Sequence, residues 1–350
     1  MNYSTYETKF RKKAIDAGYS DENIQKCLAY AKNLLEKGYP VIYNSSNLSS
    51  LVGYKRSYIK RAIFSTNFFY RCFTIAKKNG KPREIKEPLP SLKEIQLWIL
   101  TNILYKFHVS KFAKAYIPEK SILDNVKFHK NQEKVICIDL DNFFPSIKEN
   151  HVLQIFLKIG YSKRVSAVLS KLCCNEGSLP QGAPTSPQLS NIYLYDFDTT
   201  ISKYCNDKKI RYTRYADDMT FSGKINEREL FELLKLELDR IDLKINDRKT
   251  KIMTPEMRQI VTGVVVNKKL QIPIEKRKEL RQAIYYIEKF GLTNHLEKIN
   301  CTRGFYLKHL LGLVNYVLFI NPDDNEAKLQ KDFLNSLIKS LPQTTVYKKS

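Results

Sequence analysis

Long apolar runs are missing from this chain. None reaches the about 18 residues that a membrane helix needs, and the longest, Leu310–Ile320, is interrupted by Asn315. The first residues, MNYSTYETKFRKKAIDAG, are basic but lead into no apolar block, so no secretory leader is expected. Cysteine is sparse and poorly placed for bridging. There are seven, no CxxC pair occurs, and Cys173 and Cys174 are adjacent. A disulfide framework and a structural zinc site are both excluded on that pattern, and a reducing cytoplasm is the expected compartment. Repeats and low-complexity blocks are absent. Acid is also short: 36 Asp and Glu stand against 59 Lys and Arg, a net charge of +23. Such a chain repels itself when compact unless a polyanion neutralises it. The basic residues run throughout the chain among 22 Tyr and 18 Phe. That distribution suits a nucleic-acid channel better than a lipid-binding tail.

What is present is a mixture of helical and strand patterns. Residues 6–37 carry Ile24, Leu28, Ala31 and Leu35 at helical spacing, with Ser20 as an N-cap. Residues 44–50 read as a polar loop. LSSLVGYKRSYIKRAI then reads as two short helices broken near Gly53, a loose match to a helix-turn-helix that is better taken as a supporting bundle. Residues 68–87 read as a hairpin turning at Asn79-Gly80, with Lys77, Lys78, Lys81 and Arg83 near its tip. Helix is expected over 92–107, 150–174, 186–204 and 230–243. Strand is expected over 135–140, 210–222, 260–266 and 270–274, and helices from 275 onward. No regular βαβ alternation appears, so the fold class is α+β.

Two acidic sites stand out. Asp139 lies inside the apolar strand VICIDL, where an ionised carboxylate is costly to bury without a partner. Asp217 and Asp218 are adjacent at a hairpin tip. Each alone has an ordinary explanation, an ion pair for the first and a turn preference for the second. Together, in a basic chain, they suit divalent-metal ligands of the kind two-metal phosphoryl transfer requires. Hard carboxylate oxygens favour Mg²⁺.

IDLDNFFPSI, LPQGAPTSPQLSN and YADD, in that order, resemble motifs A, B and C of reverse transcriptases. The likeness narrows to bacterial retron reverse transcriptases. Val261-Thr262-Gly263 matches their VTG motif, and Asn125-Val126-Lys127-Phe128-His129 matches NAxxH with Val in place of Ala. Residues 169–174 and TRYADD at 213–218 are similar too. No endonuclease or zinc-finger extension is seen.

The resemblance implies a right-hand polymerase with fingers, an antiparallel palm and a helical thumb. Residues 1–50 would be a helical extension and 51–134 fingers, with 147–185 contributing. Residues 135–266 would be mainly palm and 267–350 thumb. It implies Asp139, Asp217 and Asp218 as ligands of two Mg²⁺ ions, with Mn²⁺ a substitute, and the backbone of Leu140 facing a metal. Phe144 would be a steric gate against a ribose 2′-hydroxyl. Gln181 and Gly182 would line the nucleotide pocket, and Lys81 and Arg83 would hold the triphosphate. Lys249 would be a general acid for pyrophosphate. Asn125, His129, Val261, Thr262 and Gly263, with Lys276, Arg277, Lys278 and Arg281, would contact RNA. The implied reaction is DNA synthesis on a structured non-coding RNA, primed from an RNA 2′-hydroxyl. Deoxynucleoside triphosphates are the substrates, a branched RNA–DNA molecule is the product, and a separate effector protein is a partner in phage defence. The competing readings are a group II intron maturase or diversity-generating enzyme, an RNA-binding scaffold controlling an effector, and a DNA-binding regulator.

Overall fold

Helices occur throughout the described chain, and the strands fall between residues 70 and 265. The computed structural model describes residues 3–76, 80 and 82–340. The elements in order are α1 (Tyr3–Asp16), α2 (Asp21–Glu36), α3 (Ser45–Val52) and α4 (Arg56–Phe64), then β1 (Tyr70–Ala76) and β2 (Pro82–Pro88). Next come α5 (Pro90–Asn102), α6 (Ile122–Val126), β3 (Val135–Asp139), α7 (Phe143–Ser146), α8 (Glu149–Ile159) and α9 (Lys163–Cys173). They are followed by α10 (Ser186–Tyr193), α11 (Tyr195–Asp207), β4 (Arg211–Tyr215), β5 (Asp218–Ser222), α12 (Glu227–Asp239) and β6 (Lys251–Met253). The chain then forms β7 (Ile260–Val261), β8 (Val264–Val265), α13 (Ile274–Phe290), α14 (Leu292–Lys298), α15 (Tyr306–Ile320) and α16 (Asn325–Ser340).

The caps explain several boundaries. Ser20 accepts from the Asn23 N–H and starts α2 as expected. The expected polar loop at 44–50 is instead mostly helix. The Asn44 side chain accepts from the N–H groups of Ser46 and Asn47, which nucleates α3 there, and Gly53 ends it in the left-handed region at φ 77°. The two short helices of the helix-turn-helix-like segment bury Leu48, Ile59 and Ala62 in the main core, so they serve as support. The strand expected at 270–274 is reduced to one bridge, Val265 to Gln271, because α13 begins at Ile274.

The central sheet is antiparallel, in the order β4-β5-β3-β6. β3 is apolar on both faces because Ile136 and Ile138 enter one core while Val135 and Cys137 pack into a second. One large core joins this sheet to the helices of the first two-thirds of the chain, from Leu34 to Leu243. A second core joins Val126, Val135, Met253, Val261 and Val264 to α13, α15 and α16. The C-terminal helices are thereby fastened to the edge of the sheet that β6 closes. No described helix is long and apolar enough to cross a membrane.

Candidate active site

The register of the sheet assembles the carboxylates. In the β3–β5 pairing Asp139 stands directly opposite Asp218. Like charges in that relation repel. The β4–β5 hairpin turns through Ala216 and Asp217, so Asp218 is the first residue of β5 rather than part of the turn. The Asp217 carbonyl accepts from the Leu140 N–H at 3.1 Å, which holds the turn against the end of β3. Burial, then the charges of Asp217 and Asp139, push the Asp218 carboxyl up to about 6. Asp217 is also raised, by burial and by Asp139. Both shifts mark a site that lacks positive charge.

One cation already answers that need. Lys249, at the end of a short 3-10 turn, donates from Nζ to Asp139 Oδ1 at 2.8 Å and Oδ2 at 3.0 Å. The ion pair that would satisfy Asp139 alone is therefore real, and it lies inside the acidic cluster. Lys249 is held charged chiefly by this bond. Among the described residues no three His, Cys, Asp or Glu side chains are drawn around one point as a metal set. The donor chemistry nevertheless fits a hard cation, since an ammonium occupies the position where positive charge is favoured and Asp217 and Asp218 remain undercompensated.

The other expected pocket residues converge from separate elements. Arg83 on β2 is near enough for its charge to favour ionised Asp217. Lys81 lies outside the described residues. The Lys86 N–H donates to the Gln181 carbonyl at 2.9 Å, which docks β2 on the LPQGAP loop. Gly182 sits at φ 135°, and a Cβ there would meet the Lys86 carbonyl oxygen at 2.7 Å. Only glycine fits. Phe144 on α7 is half-buried, its ring 5.2 Å from Phe143 and 6.4 Å from Tyr116.

The turn that carries Asp217 has a support that the sequence reading missed. Ala216 has φ 60°, an uncommon conformation for a residue with a side chain. Arg214, fully buried, donates to the Ala216 carbonyl at 3.1 Å and to Asn191 Oδ1 at 3.1 Å. It also makes a forked pair with buried Asp198, at 2.9 and 2.7 Å, and Tyr212 donates to the same carboxylate at 2.7 Å. The signal available was Asp198 itself, an acid among the inward-facing residues Phe197, Ile201 and Cys205 of α11.

Several residues expected to touch RNA are interior. Asn125, His129 and Val261 are fully buried. The His129 ring bridges Ser222 Oγ and Thr213 Oγ1, each at 2.7 Å. Thr213 donates to Asn125 Oδ1 at 2.5 Å, and Asn125 donates to Thr262 Oγ1 at 3.3 Å. With the Thr213 proton committed to Asn125, His129 Nε2 must be the protonated nitrogen and Nδ1 the acceptor from Ser222. Burial depresses the imidazole to about 3, so the ring is neutral. These residues hold elements together; only Thr262, half-buried, and Gly263, exposed, reach the surface. They form the two-residue turn of β7–β8, with φ 44° and 85°.

The expected four-charge face on α13 also needs correction. Arg277 pairs with Asp324 at 2.9 Å and Glu326 at 3.0 Å, and Arg281 donates to Glu326 at 2.8 Å. Their charge is spent on fastening α13 to α16. Lys276 and Lys278 are exposed and form no such pair among the described residues.

Comparison with known proteins agrees with this geometry. Residues 75–298 match the family described as reverse transcriptase (RNA-dependent DNA polymerase). The fold is thus that of an RNA-directed DNA polymerase, with fingers, palm and helical thumb. The retron Ec86 reverse transcriptase of Escherichia coli is 33% identical over 311 residues, which is 85% of this chain and 92% of that protein. The retron Ec83 reverse transcriptase of Escherichia coli is 31% identical, over 78% of this chain and 89% of that protein. Among solved structures, the foamy viral protease-reverse transcriptase in complex with double-stranded DNA aligns at 17% identity and a TM-score of 0.45, over 78% of this chain and 39% of that one. The chain belongs to the bacterial retron reverse transcriptases.

Proposed function

We propose that this polymerase makes branched, RNA-linked single-stranded DNA on a structured non-coding RNA, priming from a 2′-hydroxyl of that RNA. The pairing of Asp139 with Asp218 beside Asp217, with Arg83 near enough to favour the charge of Asp217, supports the polymerase chemistry, and the likeness to retron enzymes supports the branched product. Reverse transcriptases use divalent metal ions. Asp139, Asp217 and Asp218 would hold two Mg²⁺, or Mn²⁺ in their place, supplying charge stabilisation at the attacking and leaving oxygens.

The chain's own groups divide the remaining work. Arg83, and Lys81 beside it, orient the triphosphate, Arg through a planar fork and Lys as a point charge. The docked Gln181-Gly182 loop shapes the floor under the incoming base. Phe144 excludes a 2′-hydroxyl. Lys249, whose ammonium lies against Asp139, is the proposed donor of a proton to departing pyrophosphate. The division into an extension at 1–50, fingers at 51–134 with 147–185, palm at 135–266 and thumb at 267–350 follows from the same reading. Thr262, Gly263, Lys276 and Lys278 are the proposed RNA contacts of the C-terminal part. We further propose a cytoplasmic role in phage defence with a separate effector.

The test is to express the chain with its flanking locus and examine small nucleic acid after ribonuclease and debranching treatment. RNA-linked DNA that disappears with Asp217→Ala is the expected result. Its absence, while purified protein extends a supplied primer on RNA, would keep the polymerase and remove the branched-DNA reading.

A further inference from the structure

The two most exposed large apolar side chains among the described residues are neighbours in the chain. Phe68 is 83% exposed and Phe64 is 78% exposed. Both lie at the end of α4 and in the short turn that leads into β1, and the groove they border includes none of Asp139, Asp217 and Asp218. Rings this exposed are unfavourable unless something covers them. They border a groove of about 380 Å³ whose remaining walls are largely polar, including Ser65, Asn67, Lys171 and Glu149. The groove connects to the polymerase pocket through Lys86, whose side chain bonds Glu176 in the groove wall and whose N–H bonds Gln181.

The charge along α4 has one sign. No Asp or Glu occurs between Glu36 and Glu84. Lys55, Arg56, Lys60 and Arg61, all on or beside α4, are exposed, and none forms an ion pair among the described residues. Lys171 adds its ammonium 5.6 Å from the centre of the Phe64 ring. Glu149 and Glu176 line the groove itself, where a carboxylate accepts from the amino edge of a base and would repel a phosphate. Aromatic faces over a polar floor, with cations along the rim, match the chemistry of an unpaired polynucleotide. Bases stack on rings and phosphates follow the cations. A protein partner would gain from the rings, and from the unpaired cations only if it carried acidic side chains along their rim.

We propose that α4 and the turn after it form a second RNA site outside the polymerase channel. It takes an unpaired stretch of RNA, with bases stacked on Phe64 and Phe68 and phosphates along Lys60 and Arg61. The choice of RNA over DNA rests on the proposed template; the stacking platform stands on the geometry alone.

The test uses the full chain with its channel filled by a saturating RNA–DNA primer–template that has a minimal overhang. Binding of a labelled oligoadenylate RNA, about 12 nucleotides long, is then read by anisotropy. Wild type is expected to bind it with the channel filled. Phe64→Ala with Phe68→Ala should weaken that binding about tenfold or more, and Phe64→Trp with Phe68→Trp should restore it. Extension of the short-overhang primer should be the same in all three. Equal binding by the Ala variant would overturn the proposal and leave the rings to a protein partner. No binding once the channel is filled would also overturn it, as would a loss that Trp does not restore or that extension shares. Failure of wild type to extend the primer on RNA would count against the polymerase reading, whatever the oligonucleotide does.

Discussion

The hairpin β4–β5 has two ends built on opposite rules. At the turn, Asp217 and Asp218 face Asp139, like charge against like, and Ala216 holds an uncommon backbone conformation. At the open end, Thr213 and Ser222 clasp a neutral histidine, and hydrogen bonds run in one direction from Ser222 to His129, Thr213, Asn125 and Thr262. Every link in that relay has a donor and an acceptor. The contrast shows how the sheet tolerates a repulsive site: the frustrated end is short, half-exposed and restrained by Arg214, while the satisfied end anchors the same strands to α6 and β7–β8. The proposed function needs the first arrangement, because a divalent cation would be bound by charge that the chain leaves undercompensated.

The largest effect should come from removing the frustration itself. Asp217→Asn is expected to cut DNA synthesis about a thousandfold or more, while melting of the metal-free protein stays level or rises, since one repelling charge is gone. Primer extension and a thermal melt check both halves. A fall in stability equal to the fall in activity would mean that the carboxylate is structural.

Next is the support of the turn. Arg214→Met leaves Asp198 buried with only Tyr212, and breaking a buried pair costs about 3–5 kcal/mol. Denaturant unfolding measures that cost. Activity should fall further than the unfolded fraction explains, because the Ala216 carbonyl loses its donor and Asp217 its position.

The satisfied end should reveal itself through acid. His129 titrates near 3 when folded against 6.5 in an unfolded chain. The unfolded state therefore binds more protons between those values. The stability from neutral His129 is complete above pH 6.5 and is lost as pH falls toward 3. At pH 5 the loss should be about 2 kcal/mol relative to pH 7. His129→Gln should lack this dependence while being less stable at neutral pH; unfolding curves across that range decide it.

The smallest effect is expected at the aromatic wall. Phe144→Ala should raise ribonucleotide incorporation about tenfold, worth about 1.4 kcal/mol of discrimination, with little change in melting because the ring is only half-buried. A competition assay between ribo- and deoxynucleotides reads it directly.

Much of this was legible in the residues. The apolar run around Asp139 marked a buried strand, the pattern around Asp217 a hairpin, and Asn79-Gly80 the turn between β1 and β2, although Asn79 itself lies outside the described residues. Period and turn chemistry are local, and they survive folding. Asn44 was misjudged because a polar stretch reads as loop until its side chain is seen to cap a helix. The burial of Asn125, His129 and Val261 is not legible in the residues, because a motif carries no sign of its own burial.

By itself, then, the sequence determined the order of the motifs, the class of the fold and the identity of the three carboxylates. Those depend on which residues are neighbours along the chain. Tertiary structure alone decided that Asp139 faces Asp218, that Lys249 reaches Asp139, that Arg277 and Arg281 spend their charge on α16, and that only Gly fits at 182 beside the Lys86 carbonyl. Each of these joins residues far apart in the chain. Their meeting is fixed by strand order, register and helix packing, which no local period encodes.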